Sequence, residues 1–155
     1  MLFRGLLTLA CALTANAISD ADGLTVSTQQ GDVLGTLVSP TVRKFLGIPY
    51  ATAGRWTSPS TPPIRTAPLI ASNFSDSCPQ DLRADAVEFL KLAGSGNFTH
   101  VPESENCLTV NIWTPSIARK QATAVMIWAY GGAFNFGTVC NPHFMLYQPF
   151  TPFVD

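Results

Sequence analysis

Val125-Met-Ile-Trp-Ala-Tyr-Gly-Gly-Ala-Phe-Asn-Phe-Gly137 joins a run that calls for burial to a turn that suits an anion. Val125–Tyr130 is apolar without alternation, the pattern of a strand covered on both faces in a parallel sheet, and six residues suit a strand better than a helix. Gly131-Gly132 ends the run abruptly. A glycine pair accepts φ > 0 and lets neighbouring backbone N–H groups point outward together instead of into a ladder. Free N–H groups at a strand end outline an oxyanion-binding turn.

Around this stretch the composition narrows the possibilities. A length of 155 residues bounds the chain to one domain, and 46% apolar against 12% charged residues excludes a disordered chain and a nucleic-acid binder. The net charge of -1 gives no electrostatic reason for a polyanionic or membrane-surface partner. Gln121 to Val154 contains no Asp, Glu, Lys or Arg, so this stretch reads as interior chain or as sequence not meant to be protein. At the other end, Met1-Leu-Phe-Arg4, the apolar run Gly5 to Leu13 and Ala15-Asn-Ala17 predict a signal peptide over residues 1–17, cleaved near Ala17, and a secreted product. The run is too short for a stable membrane span. Once Cys11 leaves with the leader, Cys78, Cys107 and Cys140 face an oxidising compartment, and one of the three is left over. No cofactor and no metal site is expected.

Leu24 to Thr28 and Val33 to Ser39 are β-prone runs separated by Gln29-Gln30-Gly31-Asp32, which predicts a hairpin. Arg43 to Ala51 reads as a short strand stopped by Pro49. Arg55-Trp56 and the prolines at 59, 62, 63 and 68 read as extended surface chain. Asn73-Phe-Ser75 and Asn97-Phe-Thr99 are N-glycosylation acceptors expected on surface loops, giving Asn73 and Asn97 as glycan sites. Leu82, Ala86, Phe89, Leu90 and Ala93 recur at helical spacing, with Gly94 as a stop. In Glu105-Asn-Cys-Leu-Thr-Val-Asn-Ile-Trp-Thr-Pro115, Leu108, Val110 and Ile112 alternate with Thr109, Asn111 and Trp113 in a strand ended by Pro115.

Three of these segments carry a resemblance. Phe45-Leu-Gly-Ile-Pro-Tyr-Ala51, Glu105 to Pro115 and Tyr130-Gly-Gly-Ala-Phe134 stand in the order and spacing of the type-B carboxylesterase, lipase and cholinesterase family, with Asn106 where the family signature has Asp. The link from Ala51 to Arg55 is shorter than the family's usual one. The resemblance implies an α/β fold: the N-terminal portion of an α/β-hydrolase fold, an N-terminal β-hairpin plus the first strands of the central sheet, incomplete. Residues 18–138 would form that portion. It also implies a disulfide between Cys78 and Cys107, closing a loop that acts as a lid in lipase members or is a plain surface helix. By the same resemblance Gly132 and Ala133 would supply oxyanion-hole N–H donors, with Gly131 as the turn residue. Ala133 stands where many members have Gly, and its methyl narrows the acyl side of the pocket.

The family's chemistry also needs a serine on a G-x-S-x-G elbow, an acid and a histidine. No G-x-S-x-G occurs in the chain. His100 precedes the oxyanion loop and His143 follows just after it, so neither fits the family's order. His100 reads as a loop residue and His143 stays unassigned. None of the triad is expected here, and the partner implied for the full-length family member is a small-molecule or lipid ester. Residues 139–155 depart from the family pattern, with three prolines and no charge before Asp155, and Val139-Cys140 is what the intron start GTATGT encodes in frame. The expectation is therefore the N-terminal fragment of a secreted carboxylic ester hydrolase, inactive by itself. Alternatives are a non-catalytic, cholinesterase-like secreted adhesion or binding protein, or a truncated gene product without function.

Overall fold

The computed structural model describes residues 23–80, 102–122, 124–131 and 137–138. The helix expected over Leu82–Ala93 lies outside them. Among the described residues six strands are formed: β1 Thr25–Thr28, β2 Gly31–Leu34, β3 Thr36–Ser39, β4 Val42–Pro49, β5 Leu69–Ile70 and β6 Thr109–Pro115. They make two three-stranded sheets, ordered β1-β2-β5 and β3-β4-β6.

The expected hairpin is present, but its turn is tighter than the four polar residues suggest. Gly31 already pairs with Thr28 and Val33 with Val26, which leaves only Gln29 and Gln30 to turn the chain. Gly31 makes this possible through its φ of 105°. A Cβ there would come within 2.8 Å of the Arg65 carbonyl oxygen, and the Arg65 N–H donates to Gln30 at 2.8 Å. The second run, Val33 to Ser39, does not remain one strand. It breaks at Gly35, where β2 leaves one sheet and β3 enters the other. A side chain on Gly35 would fall 2.5 Å from the Phe45 ring and 2.6 Å from the Lys44 carbonyl. Gly35→Ala is therefore expected to cost about 1–3 kcal/mol of stability, because the crowded neighbours are backbone and a packed ring. A lowered urea midpoint by tryptophan fluorescence checks this.

Phe45 lies between the sheets with Val33 and Ala71, and Ile48 and Leu69 close the edge of this small core. Removing the Phe45 ring would open a cavity at its centre, and losses for such truncations run to about 3–5 kcal/mol. Arg43 packs over the Phe45 ring, 5.9 Å from its centroid, and its Nε donates to the Pro115 carbonyl at 2.9 Å. One arginine thus fastens the end of β6 to β4.

β4 and β6 pair antiparallel, Phe45 opposite Ile112, with an irregularity between Phe45 and Ile48. Gly47 causes it: at φ 67° its N–H turns out of the ladder and donates to Asn111 Oδ1 at 2.8 Å. Alternation like that of β6 ordinarily points aliphatic side chains to the core. Here Thr109 is buried and Asn111 and Trp113 are half-buried, whereas Val110 and Ile112 are exposed. The polar face wins because it has partners. Thr109 Oγ1 meets Ser75 Oγ at 2.5 Å, Asn111 takes the Gly47 amide, and Trp113 packs against Phe74 with ring centroids 6.4 Å apart.

Candidate functional site

The oxyanion turn expected at Gly131–Ala133 is described only at its base. Gly132 and Ala133 lie outside the described residues, as do His100, His143, Cys140 and Asn97. Val125–Tyr130 differs from its reading as a buried inner strand, since it joins neither sheet and Val125 and Ile127 are 87% and 89% exposed. The reason is physical. An inner parallel strand needs strands on both edges and helices on both faces, and the described residues supply neither beside this segment.

The two ends of the glycine loop nevertheless meet. Gly137 has φ 136°, and a Cβ on it would run into the Tyr130 ring and fall 2.6 Å from the Gly131 carbonyl oxygen. Only glycine fits there. Gly131 is different: it is exposed, and a side chain on it would meet nothing within 4 Å. The Gly137 N–H donates to Gln80 Oε1 at 2.8 Å, and Gln80 Nε2 donates to Ser77 Oγ at 3.3 Å. Ser77 is buried, and so is Thr138, beside Gly137.

Gln80 is the contact that the sequence did not signal. It follows Cys78 by two residues, and nothing in Cys-Pro-Gln announces an acceptor for an amide 57 residues later. Its anchorage is firm. Ser77 pairs in parallel with Glu103, the Ser77 N–H donates to the Pro102 carbonyl at 2.9 Å, and the Ser104 N–H donates back to Ser77 at 2.9 Å. One residue on, Cys78 is bonded to Cys107, their Cα atoms 5.0 Å apart. With a sequence separation of 29, the bridge is expected to contribute about 3–4 kcal/mol in the chain-entropy model. Non-reduced peptide maps of the purified protein are expected to find this bridge and to find Cys140 outside it. A Cys140 peptide joined to either cysteine would contradict that.

Arg55 Nε and Glu105 Oε1 form an ion pair at 2.6 Å across the surface. Both side chains are more than half exposed, so it fixes geometry more than it stabilises. Asn73 is exposed. Among the described residues no group of His, Cys, Asp and Glu is placed to hold a metal, and no helix is long and apolar enough to cross a membrane.

The model of the carboxylesterase family matches residues 22–148, past Thr138 and into the proline-rich tail. Fumonisin B1 esterase of Sphingopyxis macrogoltabida is 34% identical over 139 residues, 87% of this chain and 24% of that protein. The bile salt-activated lipase of Mus musculus is 32% identical over 151 residues, 94% of this chain and 22% of the lipase. Among solved structures, a thermophilic PNB esterase superposes with a TM-score of 0.59 at 35% identity, over 73% of this chain and 22% of that one. The chain thus spans less than a quarter of the length of these relatives.

Proposed function

Since this chain belongs to the carboxylesterase family, we propose that it is the oxyanion-loop portion of a secreted carboxylic ester hydrolase, inactive until a nucleophile, an acid and a histidine are supplied. Its fold is the N-terminal portion of an α/β-hydrolase. In the whole enzyme a serine attacks the ester carbonyl, and the negative charge develops on the carbonyl oxygen. Gly132 and Ala133 would donate their backbone N–H groups to that oxygen, with Gly131 turning the chain toward it. A third donor would come from the residue after the serine.

The observation that carries this reading is the closed base of the loop. Gly137 packs against Tyr130 and Gly131, and its amide is held by Gln80 beside the disulfide-anchored segment. Preorganised donors matter in acyl transfer because they meet the developing charge without reorganising at the moment of reaction. A loop tied at its base suits that task. The substrate class is a small-molecule or lipid ester, with Ala133 disfavouring bulky acyl groups.

Reading and expressing the genomic frame beyond the Thr138 codon tests the proposal. A continuous product with G-x-S-x-G that hydrolyses p-nitrophenyl esters and is blocked by a serine-directed phosphonate supports it. A continuous fold with that serine replaced would favour a non-catalytic binding protein.

A further inference from the structure

We propose that Asn73 accepts its glycan only before β6 docks, so that glycosylation at this site competes with closure of the Cys78–Cys107 disulfide. The inference rests on the secretory reading given above. Asn73-Phe74-Ser75 is the acceptor triplet, and the transferase must engage both the Asn73 amide and the Ser75 hydroxyl. In the folded chain Phe74 and Ser75 are half-buried with their side chains engaged, whereas the Asn73 side chain is exposed. Ser75 Oγ lies 2.5 Å from Thr109 Oγ1, and Phe74 packs on Trp113, both on β6. The backbone is pressed onto β4, where a Cβ on Gly47 would lie 3.0 Å from the Asn73 carbonyl oxygen and 3.3 Å from the Ser75 nitrogen. Just beyond the triplet, Ser77 is bonded to Pro102 and Ser104, and Cys78 is joined to Cys107.

The side-chain partners of Phe74 and Ser75 thus come from more than thirty residues later in the chain. Until they arrive, the triplet is open. The exposed Asn73 side chain, whose Nδ2 donates to Ser72 Oγ at 3.2 Å, leaves room for a glycan attached earlier. The two reactions then run against each other. In one, Asn73 Nδ2 attacks C1 of a polyprenyl-pyrophosphate-linked oligosaccharide: the N–C1 bond forms, the C1–O bond breaks, the lipid pyrophosphate leaves with the electron pair and one amide proton is lost. In the other, the Cys78 and Cys107 thiols pass two electrons and two protons to a disulfide oxidant of the secretory compartment, which becomes a dithiol. Whichever finishes first decides the occupancy of Asn73.

The full chain with its own leader, produced in insect cells, tests this by glycosidase release and mass spectrometry of both acceptor peptides. Occupancy of Asn73 is expected to be incomplete in the native chain. It is expected to rise about twofold or more in Cys78→Ser/Cys107→Ser, where closure no longer competes. Thr109→Val, which keeps the disulfide and removes only the hydroxyl facing Ser75, is expected to raise it as well while Asn97 occupancy stays unchanged. Equal Asn73 occupancy in all three chains, or complete occupancy in the native one, would overturn the coupling. Glycan on neither asparagine together with a retained leader would overturn the secretory reading, and this proposal with it.

Discussion

Purified residues 18–155 are expected to hydrolyse short-chain p-nitrophenyl esters no faster than a heat-denatured sample. The chain contains no G-x-S-x-G, and its two histidines are His100 and His143. Without an activated serine no acyl-enzyme forms. In complete enzymes an oxyanion hole and substrate binding alone still give roughly 10³- to 10⁴-fold over water. That residue of activity depends on donors held in a packed site, and here the segment leading into the loop, which joins neither sheet, is solvent-exposed from Val125 to Ile127. Turnover that a serine-directed phosphonate abolishes would overturn the prediction, since it demands a nucleophile the chain does not offer.

In size-exclusion chromatography the same material is expected to elute as assemblies, and charged substitutions in Val125–Tyr130 are expected to return it toward monomer. Val125, Met126 and Ile127 are each at least 74% exposed, and Trp128 is 57% exposed. Each large aliphatic side chain fully covered contributes about 1.5–3 kcal/mol, so a few such contacts between copies raise association by orders of magnitude. No Asp, Glu, Lys or Arg occurs between Gln121 and Val154 to oppose contact, and Phe144, Tyr147, Phe150 and Phe153 add aromatic side chains to the same charge-free stretch. Met126→Asp with Ile127→Lys should shift the elution to monomer mass. A native chain that is monomeric at micromolar concentration, with a cooperative thermal transition, would refute the prediction.

Both predictions turn on the same question of what a sequence pattern can disclose. The hairpin was legible because Gly31 and its polar neighbours announce a turn whatever surrounds them. The split at Gly35 was not, because a glycine in a β-prone run says nothing about the Phe45 ring that needs the space. β6 was legible as a strand from its period of two, but not in the face it buries. That choice was made by Ser75, Gly47 and Phe74, each far away in the chain. Val125–Tyr130 shows the converse: its pattern specifies burial, and burial depends on covering elements that the described residues do not contain. Of the site, the glycine turn is an expectation from Gly131-Gly132 and Gly132 lies outside the described residues, whereas Gln80 gave no signal at all. A side-chain amide receiving one backbone N–H leaves no periodic trace.

Besides the core at Phe45, the two sheets are bridged at one residue. The buried Ala71 donates its N–H to Leu34 of β2 at 2.8 Å and accepts the Leu46 N–H of β4 at 2.9 Å. Cooperative units of a protein are separable only where an opening motion can break one set of bonds and spare the other. At Ala71 both bonds sit on one buried residue, so displacing it from one sheet also strains its bond to the other. The slowest-exchanging amides of β2 and of β4 should therefore report one common opening free energy, and the two sheets should melt as a single foldon despite having no strand in common.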